Sequence, residues 1–200
     1  MRAVILDTGV ANLSSLAFAV KRLGVEPIIT REAAEIRAAD RIFLPGVGTA
    51  RAAMAAIEER GLADLIREAT QPVLGICLGE QILGRRSEET GGVDLLGLID
   101  ADVRALRADG LPLPHMGWNS LHLTEKGKKH PLFKYSKEGD YVYFVHSFYG
   151  KDCDESLLAT SEYGIPVTAS AANENVMGCQ FHPEKSGEVG LRILKAFSEI

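Results

Sequence analysis

Short apolar runs alternate with helix-compatible stretches through the first half of the chain, and no other feature limits the fold as tightly. Ala3 to Leu6, Pro27 to Thr30, Arg41 to Leu44 and Pro72 to Ile76 are of strand length and mostly apolar. Between the first two runs lies a helical stripe of Leu13, Leu16, Ala17, Val20 and Leu23, with Asn12 as its expected N-cap and Gly24 as its stop. An Ala-rich segment follows the second run, and helical material fills about 50 to 68, punctuated by Gly61. Apolar strands separated by helices imply a parallel sheet covered on both faces.

Beyond about Leu95 the texture changes to shorter strand candidates at 141–147, 157–161, 166–170 and 175–181. A last helix near Gly187 to Ile200 turns Val189, Leu191, Leu194 and Phe197 inward. No linker, repeat or low-complexity segment interrupts the chain. Residues 1–200 are therefore expected to form a single α/β domain with a mixed sheet.

Charge excludes some functions. A net charge of -5 with 24% charged residues leaves no basic stripe for nucleic acid. No run approaches the roughly 18 apolar residues of a membrane span. The opening holds only Ala3 to Leu6 between Arg2 and Asp7, short of a signal peptide's core of about 7 to 15 residues. A cytoplasmic protein is the expectation. Cys77, Cys153 and Cys179 have no paired spacing, so neither a disulfide framework nor a metal site is suggested.

One of these cysteines stands in a telling context. The fourth run delivers Cys77 at its carboxyl end, the edge of a parallel sheet where sites gather, and a helix-compatible stretch from Leu78 to Leu83 follows. Gly75-x-Cys77-x-Gly79 is the cysteine analogue of the Gly-x-Ser-x-Gly nucleophile elbow. A cysteine in apolar surroundings is ordinarily inert core. The elbow argues for a nucleophile instead, favoured by the helix N-terminus.

A nucleophilic thiol needs a base and the base an orienting group. Among five histidines, His182 has Glu184 two residues on, the spacing that puts both on one side of an extended chain, and Pro183 stiffens it. For an oxyanion the candidates are the Leu78 amide and the loop Gly46-Val47-Gly48, which follows the third strand at the same sheet end. By itself that loop reads better as a tight turn between strand and helix. Cys179 reads as core, and Cys153, flanked by acids in "KDCDES", as an inert surface thiol.

"PGVGTA", "GICLGEQIL", "SEE" at 87–89, "LPHMGWN", "YFVHSF" and "QFHPEKSG" follow one another as in the triad, or class I, glutamine amidotransferases. The resemblance covers essentially the whole chain. "PGVG" with "HMGWN" narrows it to the glutaminase subunits of imidazole glycerol phosphate synthase, an enzyme of histidine biosynthesis. It implies a flavodoxin-like, largely parallel sheet with helices on both faces. It also implies a Cys77, His182, Glu184 triad that converts glutamine to glutamate and ammonia through a thioester, with no cofactor or metal. Gln81 and Glu89 match positions that hold the ends of the glutamine, and Ser147 and Phe148 line its pocket.

The implied partner is a cyclase (β/α)8 barrel that receives the ammonia to make imidazole glycerol phosphate, forming a heterodimer. A barrel of about 250 residues must be a separate chain. Met116, Trp118 and Asn119 are the candidate docking residues, though a buried tryptophan in a loop is an equal reading. Three residues depart from the family pattern: Thr8 and Ala11 in the opening motif, and Glu80 where the elbow often has methionine. Glu80 would disfavour the thiolate if it faced inward and be harmless if it faced out. The glutaminase of another pathway, such as pyridoxal phosphate or anthranilate synthesis, a stand-alone cysteine hydrolase and a non-catalytic assembly subunit remain competing readings.

Overall fold

The structure, a computed structural model, describes residues 1–9 and 13–200. The expected cap Asn12 and the departure at Ala11 lie outside the described residues.

Four strands match the apolar runs: β1 (Ala3–Leu6), β2 (Ile28–Thr30), β3 (Arg41–Gly46) and β4 (Val73–Cys77). The chain continues through β5 (Arg86–Ser87), β6 (Val93–Asp94), β7 (Asp102–Ala105), β8 (His115–Ser120) and β9 (His122–Leu123). It ends with β10 (Tyr141–His146), β11 (Phe148–Lys151), β12 (Leu157–Glu162), β13 (Pro166–Asn173) and β14 (Val176–Cys179). The helices are α1 (Leu13–Lys21), α2 (Ala33–Arg37), α3 (Ala50–Glu59), α4 (Leu62–Arg67), α5 (Leu78–Ile82), α6 (Glu125–Lys129) and α7 (Gly187–Ser198).

The main sheet runs β2-β1-β3-β4-β14-β13-β12-β9. Its first five strands are parallel and the remaining pairings antiparallel. All of β1 is buried, as a strand packed on both faces must be. Its alternation assigns the two layers. Ala3 and Ile5 pack with Leu16 and Val20 of α1 and Leu194 and Phe197 of α7. Val4 and Leu6 pack with Ile36 of α2, Ile57 of α3, Leu62 of α4 and Ile82 of α5. Gly61, at φ 65°, breaks the helical stretch into α3 and α4 as its position in the sequence suggests.

The second half holds two smaller sheets, β11-β7-β5-β6 and β10-β8. The "HMGWN" stretch is not the loop expected of it: all six residues of β8 pair with β10, His115 opposite His146 and Trp118 opposite Tyr143. Proline before it and Gly117 within it read locally as loop, and long-range pairing overrides that preference.

The elbow fits because its glycines have no side chains. A Cβ at Gly79 would lie 1.8 Å from the Leu44 carbonyl oxygen, so α5 rests directly on the backbone of β3. Gly79→Ala is expected to force α5 off the sheet and to lower stability by about 3 kcal/mol or more, read by urea unfolding. An unchanged midpoint would mean that the contact relaxes freely.

Candidate active site

Because β3, β4 and β14 are parallel neighbours, their carboxyl ends converge at one edge of the sheet, with Gly46 in register opposite Cys77. Cys77 ends β4 at φ 56° and ψ -113°, a conformation that strains a residue carrying a side chain. The turn lifts the sulfur to the wall of a cavity of ≈ 260 Å³, shared with Val47, Gly48, Leu78, Gln81 and His182.

His182 follows β14 after a two-residue extension. Its backbone N–H donates to the Tyr143 carbonyl at 2.9 Å. Ser186, fully buried, fastens the same place, donating to the His182 carbonyl at 2.6 Å and accepting from the Tyr143 N–H at 3.0 Å. Nδ1 of the ring meets Glu184 Oε1 at 2.7 Å, with both side chains 6% exposed. Burial opposes a charge on the imidazole, but the influence of Cys77 and Glu184 beside it outweighs that and pushes its pKa up to about 9. A protonated ring beside a cysteine sulfur is the arrangement that activates a thiol nucleophile. Two histidines elsewhere go the other way, since burial lowers both His115 and His146 to about 4.

The oxyanion candidates gather as expected. Val47, Gly48 and Leu78 line the cavity, Gly46 stands behind Leu78, and Gly48 has φ 91°. Leu78 opens α5, where backbone N–H groups have no partner within the helix.

Of the glutamine-pocket candidates, Gln81, Ser147 and Phe148 line the cavity. Gln81 Nε2 donates to the Phe148 carbonyl and to Gln180 Oε1, each at 2.8 Å, so its Oε1 is what it has left to offer a ligand. Glu89 is placed otherwise: its carboxylate accepts from the Ala50 N–H at 2.6 Å, at the start of α3, and lies outside the cavity lining. The acidic group is drawn there by the unpaired N–H donors of the helix terminus.

Gln180 has no place in the expected site, yet it joins the site's parts. It is fully buried, accepts from Gln81 and points Nε2 at Cys77 Sγ, 3.8 Å away. Its spacing of two from His182 was the signal in the sequence.

Met116 and Trp118 stand 60% and 54% exposed on β8, so the buried-tryptophan reading fails. Asn119 does not share their face. Alternation along the strand turns it inward, where Nδ2 donates to the Glu162 carbonyl at 2.7 Å and meets His115 Nε2 at 3.3 Å.

One further expectation is corrected, and one left open is decided. Cys153 is a buried thiol, 4% exposed, 3.5 Å from Thr168 Oγ1, and burial raises its pKa. The acidic flanks face outward while the sulfur fills the core. Glu80 faces inward, packed over Gly178, where a Cβ would come within 2.2 Å of Glu80 Cγ. Burial pushes its pKa up to about 8, and Oε2 has no partner among the described residues. Cys179 is fully buried, and burial raises its thiol as well.

Glu80 makes stability depend on pH. Between the unfolded value of 4.5 and the folded value of about 8, the folded chain holds a proton that the unfolded chain has released. Stability therefore falls as pH rises through that window and levels off above it. Glu80→Met is expected to be more stable than the parent by on the order of 2 kcal/mol at pH 8, the gap closing toward pH 5. His182 adds a decline between 6.5 and about 9, common to both proteins, so the difference between their urea-unfolding curves isolates Glu80. A constant gap would count against a buried neutral carboxyl.

The family described as "Glutamine amidotransferase class-I" matches residues 4–199. The chain belongs to the class-I glutamine amidotransferases. Within them it is 54% identical over 200 residues to the "Imidazole glycerol phosphate synthase subunit HisH" of Salmonella typhimurium, with all of both chains covered. The proteins of the same description from Escherichia coli (strain K12) and Pectobacterium atrosepticum are each 52% identical, again over both whole chains.

Solved structures agree on the fold. One titled "Crystal structure of glutamine amidotransferase" superposes with a TM-score of 0.75 at 19% identity, covering 98% of this chain and 97% of that one. The glutaminase domain of Trypanosoma brucei CTPS gives 0.63 at 16%, covering 100% and 94%. Among the described residues, no helix of this glutamine amidotransferase is long and apolar enough to cross a membrane.

Proposed function

We propose that the chain is the glutaminase subunit of a cytoplasmic imidazole glycerol phosphate synthase. Residues 1–200 work as one glutaminase domain that passes ammonia to a cyclase (β/α)8-barrel subunit. The observation that carries this reading is the His182 ring, held by Glu184 at Nδ1 and sharing with Cys77 the wall of a cavity edged by Gly48 and Leu78. The whole-length likeness to subunits of that synthase supports the choice of pathway.

In the proposed reaction Cys77 Sγ attacks the side-chain amide carbon of glutamine, and the Leu78 N–H with an amide of Gly46-Val47-Gly48 holds the oxyanion. The imidazolium of His182 protonates the amide nitrogen, the C–N bond breaks and ammonia leaves. His182, now neutral, takes a proton from water, whose oxygen attacks the thioester. The C–S bond breaks, releasing glutamate and restoring the starting pair. Gln81, with Ser147 and Phe148, positions the substrate's far end. The exposed pair Met116 and Trp118 offers a docking face for the barrel.

The test is glutamate release by the purified chain, alone and with a cyclase barrel carrying its ribonucleotide ligand. Strong stimulation by the loaded barrel is the expected result. Turnover indifferent to the barrel would favour another pathway or a stand-alone hydrolase.

A further inference from the structure

Two buried histidines with no part in the triad form a chain from the strand that carries Met116 and Trp118 into the cavity. His146 lies at the end of β10, 5% exposed, and His115 opposite it on β8, 2% exposed. His146 Nδ1 meets the Phe148 carbonyl at 2.9 Å, and its Nε2 meets His115 Nδ1, also at 2.9 Å. His115 Nε2 faces Asn119 Nδ2 at 3.3 Å, and the His115 ring is stacked between Phe144 and Tyr163, with centroids 4.7 and 4.0 Å away.

One carbonyl fixes every proton in this chain. Phe148 O only accepts, so His146 Nδ1 carries hydrogen. A neutral His146 then has a bare Nε2, which accepts from His115 Nδ1–H. His115 Nε2 is left bare and accepts from the amide of Asn119. A second proton on either ring would set N–H against N–H. Burial keeps both rings neutral, as their lowered pKa values reflect.

The chain ends on a working part of the site. The Phe148 carbonyl that anchors His146 also accepts from Gln81 Nε2, and that bond fixes which way the Gln81 Oε1 points. The 146–148 turn carries Ser147 and Phe148 past the cavity, and the preceding Val145 carbonyl lies 3.7 Å from Cys77 Sγ.

We propose that His115 and His146 are positioning residues of the glutamine pocket, locking the 146–148 turn so that the Phe148 carbonyl and Gln81 are preset for the substrate. This rests on the glutaminase reading. Because the pair acts on the part of the pocket that holds the unreacting end of glutamine, its loss weakens binding of ground and transition state alike.

The experiment compares His115→Phe, which keeps the stacking but removes both ring nitrogens, with His115→Asn, which returns a donor at the place of Nδ1. Both are measured in complex with the cyclase barrel and its ligand. His115→Phe is expected to raise the KM for glutamine about tenfold with kcat nearly unchanged, the effect of leaving one buried acceptor unpaired. His115→Asn should recover most of that loss. Nitrogen-15 spectra of histidine-labelled parent are expected to show both rings as neutral Nδ1–H tautomers from about pH 6 to 8. An unshifted KM in an active, folded His115→Phe would overturn the proposal, as would a shared fall in kcat and melting temperature that asparagine does not repair. A charged ring or the opposite tautomer would overturn it too. A parent that releases no glutamate even with the loaded barrel sinks the glutaminase reading, and this inference with it.

Discussion

Cys77→Ala is expected to abolish glutamine-dependent formation of imidazole glycerol phosphate by the complex, by about 10⁵-fold or more, while leaving ammonia-dependent formation intact. The thioester cannot form without the sulfur, and among the described residues no other thiol lines the cavity. Cys179, the last residue of β14, is fully buried, and Cys153 fills the core among its own neighbours. Ring closure, in the proposed complex, belongs to the cyclase barrel and needs only ammonia. The measurement is product formation with saturating glutamine and then with an ammonium salt at mildly alkaline pH. Equal loss of both activities would show that Cys77 holds the fold or the interface rather than acting as nucleophile.

Glu184→Gln is expected to slow glutamine hydrolysis by about 10² to 10⁴-fold, less than Cys77→Ala, since it removes orientation and charge but spares the nucleophile. Its pH profile is the sharper test. In the proposed reaction the proton donor to the leaving ammonia is the His182 imidazolium, so kcat is expected to fall as pH rises through the pKa of that ring, about 9 in the parent. Glu184 is one of the two partners that raise it, and burial, which lowers it, remains. The alkaline limb should therefore move to lower pH in the variant. A limb that stays in place, or a residual rate as low as that of Cys77→Ala, would remove Glu184 from its orienting role.

The parts of the site that were legible in the sequence are those whose chemistry is written at short range. Gly75, Cys77 and Gly79 specify a turn, and His182 and Glu184 specify a pair, before any tertiary contact is known. The parallel sheet was legible for a similar reason: β1, β3 and β4 are buried on both faces and read as continuous apolar runs, and the shorter edge strand β2 reads as a run of the same kind although it is partly exposed. What escaped depends on chain crossings. Ser186 matters only because β10 passes beside the His182 turn, and β8 is a strand only because β10 pairs with it. Glu80 escaped for a different reason. All five residues of α5 are buried, so the helix has no solvent face from which an inward position could be told.

The contrast among the three thiols makes the protein its own counting device. Cys153 and Cys179 are withdrawn from solvent and held as neutral thiols by burial, whereas Cys77 opens onto the cavity beside a protonated ring. A soft alkylating reagent applied to the native chain should attach once, and the moles incorporated then count competent sites in any preparation. Catalytic constants can be normalised to that count instead of to total protein, and a fluorescent label can be set at the glutamine pocket without first removing the other two cysteines.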